Sequence, residues 1–286
     1  MTKITEAAPC KVNLYLEVTG LRPDGYHGIE SVMTTLPLCD TVVVKCIERG
    51  VRVAMSFPGG ATRDLESLPE EKNLAHRAAA LFLRAADIER GVEISIEKHI
   101  PSKAGLGGGS ADAAAVLRAM NKLFSFPFSE EELCTLGLKL GADVPFCVAG
   151  GTALCRGIGE KMTPVDNKLE FHGVITSERA EKRSTADAYR AVDEAMCSAV
   201  NDKSAVRMAK ALEAGEFGAV CREAYNIFGE ACGYPDEARR LLASCGAPFV
   251  LMSGAGPAVV ALTESDEEAR SLDIKLKENG YNSFCF

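Results

Sequence analysis

The chain has no tryptophan and few aromatic residues, 6% of the total, within an otherwise ordinary globular composition of 47% hydrophobic and 25% charged residues. Long disorder is excluded on that balance. Positive charge is in deficit: 32 Lys and Arg stand against 40 Asp and Glu, for a net charge of -8. Nucleic-acid binding draws most of its affinity from clustered Lys and Arg, so a general polyanion binder is excluded. A local pocket for a nucleotide is not. Paired cysteine spacing is missing too. The eleven cysteines are scattered and odd in number, with no Cys-x-x-Cys and no metal-spaced histidines. Several, such as Cys147 and Cys155, lie in apolar runs where a free thiol behaves as a small hydrophobe. No apolar run approaches a membrane span, and the opening MTKITEAAPCKVNLYLEV lacks a signal-peptide core. The expectation is a reduced, cytoplasmic protein with no nucleic-acid or membrane partner and no internal repeat. At 286 residues it has room for two domains.

What the chain does have is concentrated between Lys98 and Leu117, KHIPSKAGLGGGSADAAAVL. Pro101 is followed by Gly105, Gly107, Gly108 and Gly109, then by an alanine-rich run that reads as a helix. Glycines let consecutive N–H groups converge on one anion, and a helix start adds the positive end of its dipole. Phosphate is the expected guest. Ser110 falls where an N-cap belongs, its hydroxyl free to cap the helix or to face a magnesium ion. The spacing lacks the Lys-Ser/Thr of a P-loop and the G-x-G-x-x-G of a dinucleotide fold. A simple tight turn before a helix has the same composition.

Around this stretch, alternation predicts strands at 10–18 and 29–36 about an Arg22-Pro23-Asp24-Gly25 turn, with short strands at 41–47, 51–57 and 92–96. Helices are expected at 71–84, 111–123 and 130–140, then a turn at Gly141–Pro145 and strands at 146–149 and 152–156. The second half reads as helices near 184–198, 203–213, 216–224 and 235–243, strands at 248–252 and 258–263 around a small-residue turn, a helix at 266–278 and a terminal strand. Strands interspersed with helices give an α+β class.

Three stretches together resemble the superfamily of galactokinase, homoserine kinase, mevalonate kinase and phosphomevalonate kinase: Pro9-Cys10-Lys11-Val12-Asn13-Leu14, the loop Pro101 to Ser110, and Met252-Ser253-Gly254-Ala255-Gly256. Further marks are Arg22-Pro23-Asp24-Gly25-Tyr26-His27, Lys72-Asn73-Leu74, Leu140-Gly141-Ala142-Asp143-Val144-Pro145-Phe146 and Gly150-Gly151-Thr152-Ala153. They are most similar to the branch that phosphorylates the 2-hydroxyl of a cytidine-diphosphate-linked methylerythritol for isoprenoid synthesis. The resemblance implies a two-domain fold, with an ATP-binding domain of ribosomal protein S5 domain 2-like type at 1–153 and a ferredoxin-like substrate domain at 154–286. It also implies ATP and Mg2+ as cofactors and a monomer or weak homodimer.

Residue by residue, the resemblance makes Asp143 the catalytic base and Lys11 its partner. Read alone, Asp143 is a turn former before Pro145 and Lys11 an outward-facing strand residue; but a buried Lys is costly without a partner, and Asp143 would supply one. Asn73, Leu74 and Lys98 match positions bordering the adenine. Pro101, Lys103, Ala104, Gly105, Leu106, Gly107, Gly108, Gly109 and Ser110 match the triphosphate loop, with Ser110 toward the metal. Asn13, Tyr26, His27, Thr185, Tyr189 and Gly254 match substrate positions; His27 would bond the cytosine edge and Tyr189 stack on the base. Core packing accounts for Tyr26 and Tyr189 as single residues. The run Ser177 to Arg183 departs from the family, which has an apolar Pro-Gly loop there; it reads as a solvated loop or a contact to the diphosphate. A sister kinase for homoserine or a mevalonate, and a nucleotide-binding regulator without turnover, are the rival readings. A small aliphatic alcohol has no base to stack, and a regulator needs no Lys-Asp pair.

Overall fold

Alternating burial along the N-terminal residues forms β1 (Lys3–Leu21), and a turn closed by Gly25 N–H to Arg22 O (3.0 Å) returns the chain as β2 (His27–Ile47). The computed structural model describes residues 3–58, 69–180, 184–195 and 202–286. Two compact units divide the chain: Met1–Lys11, Thr35–Ser102 and Gly107–Gly150 form one, and Val12–Thr34, Lys103–Leu106 and Gly151–Phe286 the other.

In the first unit, β3 (Val51–Ser56) runs parallel to β4 (Gly91–Glu97), which pairs antiparallel with β2 in the register Val44 to Ile94. Four helices pack together here: α1 (Leu74–Ala85), α2 (Gly108–Leu123), α3 (Glu130–Leu138) and α4 (Val144–Ala149). A 3-10 turn at Glu70–Lys72 precedes α1, whose start is set by Asn73 accepting Ala75 N–H at 2.9 Å. The helix α2 is buried on almost every side, from Ala111 through Asn121, which is why it is built of alanines: larger side chains would hold its neighbours away.

The second unit carries a four-stranded sheet in the order β11-β7-β10-β9, from β7 (His172–Ser177), β9 (Phe249–Met252), β10 (Ala258–Thr263) and β11 (Phe284–Cys285). One core, with Val174, Leu242, Val259, Ala261, Leu272 and Leu276, lies beneath α9 (Glu237–Ser244) and α10 (Asp266–Glu278). Elsewhere in this unit β5 (Thr152–Gly157) joins β2 and β6 (Lys161–Pro164), and β8 (Tyr225–Asn226) pairs parallel to β1 at Tyr15. The remaining helices are α5 (Thr185–Ala195), α6 (Ala205–Ala214), α7 (Phe217–Glu223) and α8 (Ile227–Ala231).

Several sequence expectations are corrected. Residues 146–149 are helical, because Pro145 is in the first turn of α4, where its missing N–H costs nothing and its φ is preset. The helix α2 begins at Gly108 after a left-handed Gly107, so Ser110 lies inside the first turn and is not the N-cap. The expected strands at 29–36 and 41–47 are one strand, β2, which runs through an exposed Pro37. Strands β6, β7 and β8 and helix α8 are additional to the expected elements, and 196–198 of the expected helix lie outside the described residues. So do 181–183 of the charged run. Within that run Glu178 is buried, not solvated: its carboxylate accepts Ala238 and Arg239 N–H, both at 3.1 Å, at the start of α9.

Among the described residues no helix is long and apolar enough to cross a membrane. Ser129 and Glu132 form a capping box on α3. Ser129→Ala is expected to lower stability by about 1 kcal/mol in urea unfolding; an unchanged midpoint would show that α3 is held by packing alone.

Candidate active site

In the first unit, Lys11 lies near the start of the buried run of β1, only 5% exposed, and its ammonium is 3.4 Å from Asp143 Oδ2. Asp143 occupies the N-cap position of α4 yet makes no side-chain cap bond, so its carboxylate is not used in holding the turn. About a third of that carboxylate side chain is exposed. A charge taken out of water needs an opposite charge nearby, and Asp143 supplies it while staying open to a ligand. Gly107 completes the arrangement. Its φ of 71° favours glycine, and a Cβ there would fall 2.8 Å from Lys11 Cγ. The same glycine thus starts α2 and makes room for the lysine stem.

Arg118 of α2, unforeseen in the sequence, holds α4 in place: it donates to Cys147 O at 2.6 Å and to Ala7 O at 2.8 Å, tying the end of α4 to β1. Burial pushes the Cys10 thiol up to about 12 and the Cys147 thiol higher still, so both are inert neighbours of the pair.

Lys98 is buried with its ammonium on Asp40 and, at 2.6 Å, on Asp112 Oδ2 of α2. Asp40 Oδ1 also accepts His99 N–H at 2.5 Å and Ile100 N–H at 2.8 Å. This cluster fixes the end of β4, the middle of β2 and the start of α2 in relation to one another, just before the glycine loop. Burial alone would lower the Lys98 pKa, but the carboxylates of Asp112 and Asp40 outweigh it and raise it. Burial pushes the Asp112 carboxyl up to about 7, against the pull of Lys98, and its Oδ1 has no hydrogen-bond partner. Nearby, Asn73 is buried as the α1 cap, and Leu74 Cδ1 lies 3.6 Å from the Cβ position of Gly109. Gly108, Gly109 and Ser110 form the first turn of α2, whose N–H groups have no acceptor within the helix. Pro101 is half-buried, and Lys103 is exposed with φ 55°.

In the second unit, residues 103–106 are clasped by the late glycine turn. Ala258 N–H donates to Ala104 O at 2.9 Å, and the Ser253 hydroxyl to Gly105 O at 3.2 Å. Gly105 has φ 85°, and a Cβ there would run into Ser253 O. Leu106 is buried. Asn226, also unforeseen, sets this turn: its amide donates to Met252 O (2.5 Å) and Gly254 O (2.9 Å) and accepts Phe228 N–H (2.9 Å). Gly254 is therefore placed against Gly105.

The same unit brings His27 and Tyr189 together, their rings stacked at 4.5 Å and 18°. Phe228 meets Tyr189 edge-on at 5.0 Å. Tyr26, next in sequence, remains 63% exposed, and Thr185 is exposed at the start of α5. Asn13 is buried, donating to the Ser31 hydroxyl at 2.8 Å.

The Asp112 environment has a measurable consequence. Its carboxyl is raised from 3.8 to about 7, so between those values the native state binds a proton that the unfolded state has released. Stability contributed by this group therefore falls as pH rises through that window. Relative to Asp112→Asn, the wild type is expected to lose stability between about pH 4 and pH 7 in urea unfolding; a pH-independent difference would overturn the raised carboxyl.

The family described as GHMP kinases N terminal domain matches residues 73–151, and that described as GHMP kinases C terminal matches 208–282. A 4-diphosphocytidyl-2-C-methyl-D-erythritol kinase of Exiguobacterium sibiricum is 38% identical over 100% of this chain and 96% of its own. A crystal structure of a 4-(cytidine 5'-diphospho)-2C-methyl-D-erythritol kinase is 34% identical, covers 99% of this chain and 98% of its own, and superposes with a TM-score of 0.75. A homoserine kinase from Cytophaga hutchinsonii shares the fold, with a TM-score of 0.73 at 21% identity, covering 100% of this chain and 94% of its own. With both halves of the GHMP pattern in place and full-length similarity to that one branch, the chain belongs to the GHMP kinases and, within them, to the 4-diphosphocytidyl-2-C-methyl-D-erythritol kinase family.

Proposed function

We propose that this protein transfers the γ-phosphoryl group of ATP to the 2-hydroxyl of 4-diphosphocytidyl-2-C-methyl-D-erythritol, in the non-mevalonate route to isoprenoid precursors. The observation that carries the mechanism is the pair of a buried Lys11 ammonium and an Asp143 carboxylate at 3.4 Å, the latter not engaged in capping its helix. Phosphoryl transfer asks little covalent help of the protein; positioning and charge compensation do most of the work. Asp143 takes the proton from the substrate hydroxyl as the bond to phosphorus forms. Lys11 pairs with that carboxylate and offsets negative charge on the transferring group.

The triphosphate rests on the loop from Pro101 to Ser110 and on the first turn of α2, whose N–H groups and dipole face an anion. Asn73 and Leu74 border the adenine, and Lys98 supports that side through its two carboxylates. Among the described residues no group of three or more His, Cys, Asp or Glu is placed to hold a metal ion. Of the loop residues, the Ser110 hydroxyl is the group that would hold Mg2+. Bound there, Mg2+ would supply positive charge that offsets the charge of the triphosphate.

On the substrate side, His27 and Tyr189, backed by Phe228, form the base-recognition group, with Tyr26, Thr185, Asn13 and Gly254 around it. The aromatic cluster favours a nucleotide-linked substrate over homoserine or a mevalonate. Residues 1–153 carry the ATP loop together with Asn13, Tyr26 and His27 of the substrate side, and 154–286 supply the rest of the substrate side, in a cytoplasmic monomer or weak homodimer.

The test is ADP release by purified protein with Mg-ATP, offering the cytidyl substrate, homoserine and mevalonate in turn. Turnover is expected on the cytidyl substrate alone. Asp143→Asn is expected to lower kcat by about 10²- to 10⁴-fold while ATP binding is retained. Turnover on another alcohol would overturn the substrate assignment, and an active Asp143→Asn variant would overturn the base.

A further inference from the structure

His27 has a second partner that the proposed recognition does not use. Its Nε2 lies 2.9 Å from Asp193 Oδ1. Asp193 is one helical turn beyond Tyr189 on α5, so a single helix face presents the ring that stacks on His27 and the carboxylate that bonds its edge. The His27 side chain is only 13% exposed, while Asp193 is 51% exposed. A half-exposed hydrogen bond to a carboxylate contributes little to stability, so stability alone gives weak reason for this contact.

Its chemical effect is larger. An ionised carboxylate only accepts hydrogen bonds, so the hydrogen on His27 is fixed at Nε2. In the neutral imidazole Nδ1 is then a lone-pair acceptor. Cytosine linked through N1 has one donor on its edge, the exocyclic amino group at position 4. An acceptor histidine engages cytosine only through that group, and uracil carries a carbonyl at the same position. Two facing acceptors repel, and each is left without a partner.

We propose that Asp193 is a positioning residue which sets the tautomer of His27 and thereby makes the site select cytidyl over uridyl diphosphate ligands. The inference rests on the reading of His27 as the base-recognition residue. Asp193 touches no substrate in it; it acts through the imidazole.

Two measurements test it. In long-range ¹H–¹⁵N NMR of the intact protein, which has four histidines, His27 assigned by its absence in His27→Asn is expected to be the Nε2–H tautomer. In Asp193→Ala it is expected to become a mixture. An Nδ1–H tautomer in the wild type, or no change in the variant, would overturn the proposal. The second is calorimetric binding of CDP and UDP with the ATP site saturated by a non-hydrolysable analogue. The wild type is expected to prefer CDP by about tenfold or more. In Asp193→Asn, whose amide can both accept and donate, that preference is expected to shrink several-fold with the ATP analogue bound as tightly as before. A CDP preference that persists unchanged in Asp193→Asn overturns the inference alone. If the wild type binds neither nucleotide, the base-recognition reading fails with it, while the tautomer still reports what Asp193 does to His27.

Discussion

A lysine ammonium buried in a strand is the constraint around which the first unit is arranged. Lys11 is tolerable there only because a carboxylate is within reach, and breaking such a pair by removing one partner costs about 3–5 kcal/mol when burial is complete. Asp143, partly exposed, leaves the pair below that limit, yet the geometry still needs three supports. Pro145 starts α4 so that Asp143 precedes it, Arg118 ties the far end of α4 back to β1, and Gly107 leaves space for the lysine stem. The residue that permits the loop to turn also permits the lysine to lie flat.

The glycine loop is not held by its own glycines. Their conformational freedom lets the backbone take the required shape but does nothing to keep it there. In one unit the Asp40–Lys98–Asp112 cluster anchors the segment leading into the loop and the helix leaving it. In the other, Asn226 sets the late turn that clasps Ala104 and Gly105. Each anchor is a buried polar group with several partners, an arrangement in which losing one partner strands the rest.

Much of this was legible in the chain. The glycine loop, the Lys11 and Asp143 match, and most elements of the first half follow from local pattern and from resemblance. What was not legible depended on contacts between residues far apart in sequence. Lys98 reads as a strand-end lysine until Asp40, 58 residues earlier, is seen to meet it. Glu178 reads as part of a solvated charge run until its two bonds to the start of α9 appear. Asp193 reads as one more polar residue of α5, and only the fold brings His27, 166 residues away, to it. Local rules also misled where two were in competition. The turn expected at Gly141–Pro145 runs into the start of α4, and Gly107, not Ser110, is the N-cap of α2. A signal was present in both: Pro belongs in first turns, and a left-handed glycine marks a chain reversal wherever it stands.

Lys11 and Asp143 are proposed to act as one unit on the transferring phosphoryl group. A double-mutant cycle of Lys11→Met and Asp143→Asn, read as single-turnover rate constants on the cytidyl substrate with saturating ATP, tests this most directly. The account predicts that the double variant is no more than a few-fold slower than the slower single variant, because either change alone disables the pair. Losses that multiply would mean that the two residues act independently, and the ion pair would then be only a feature of the fold.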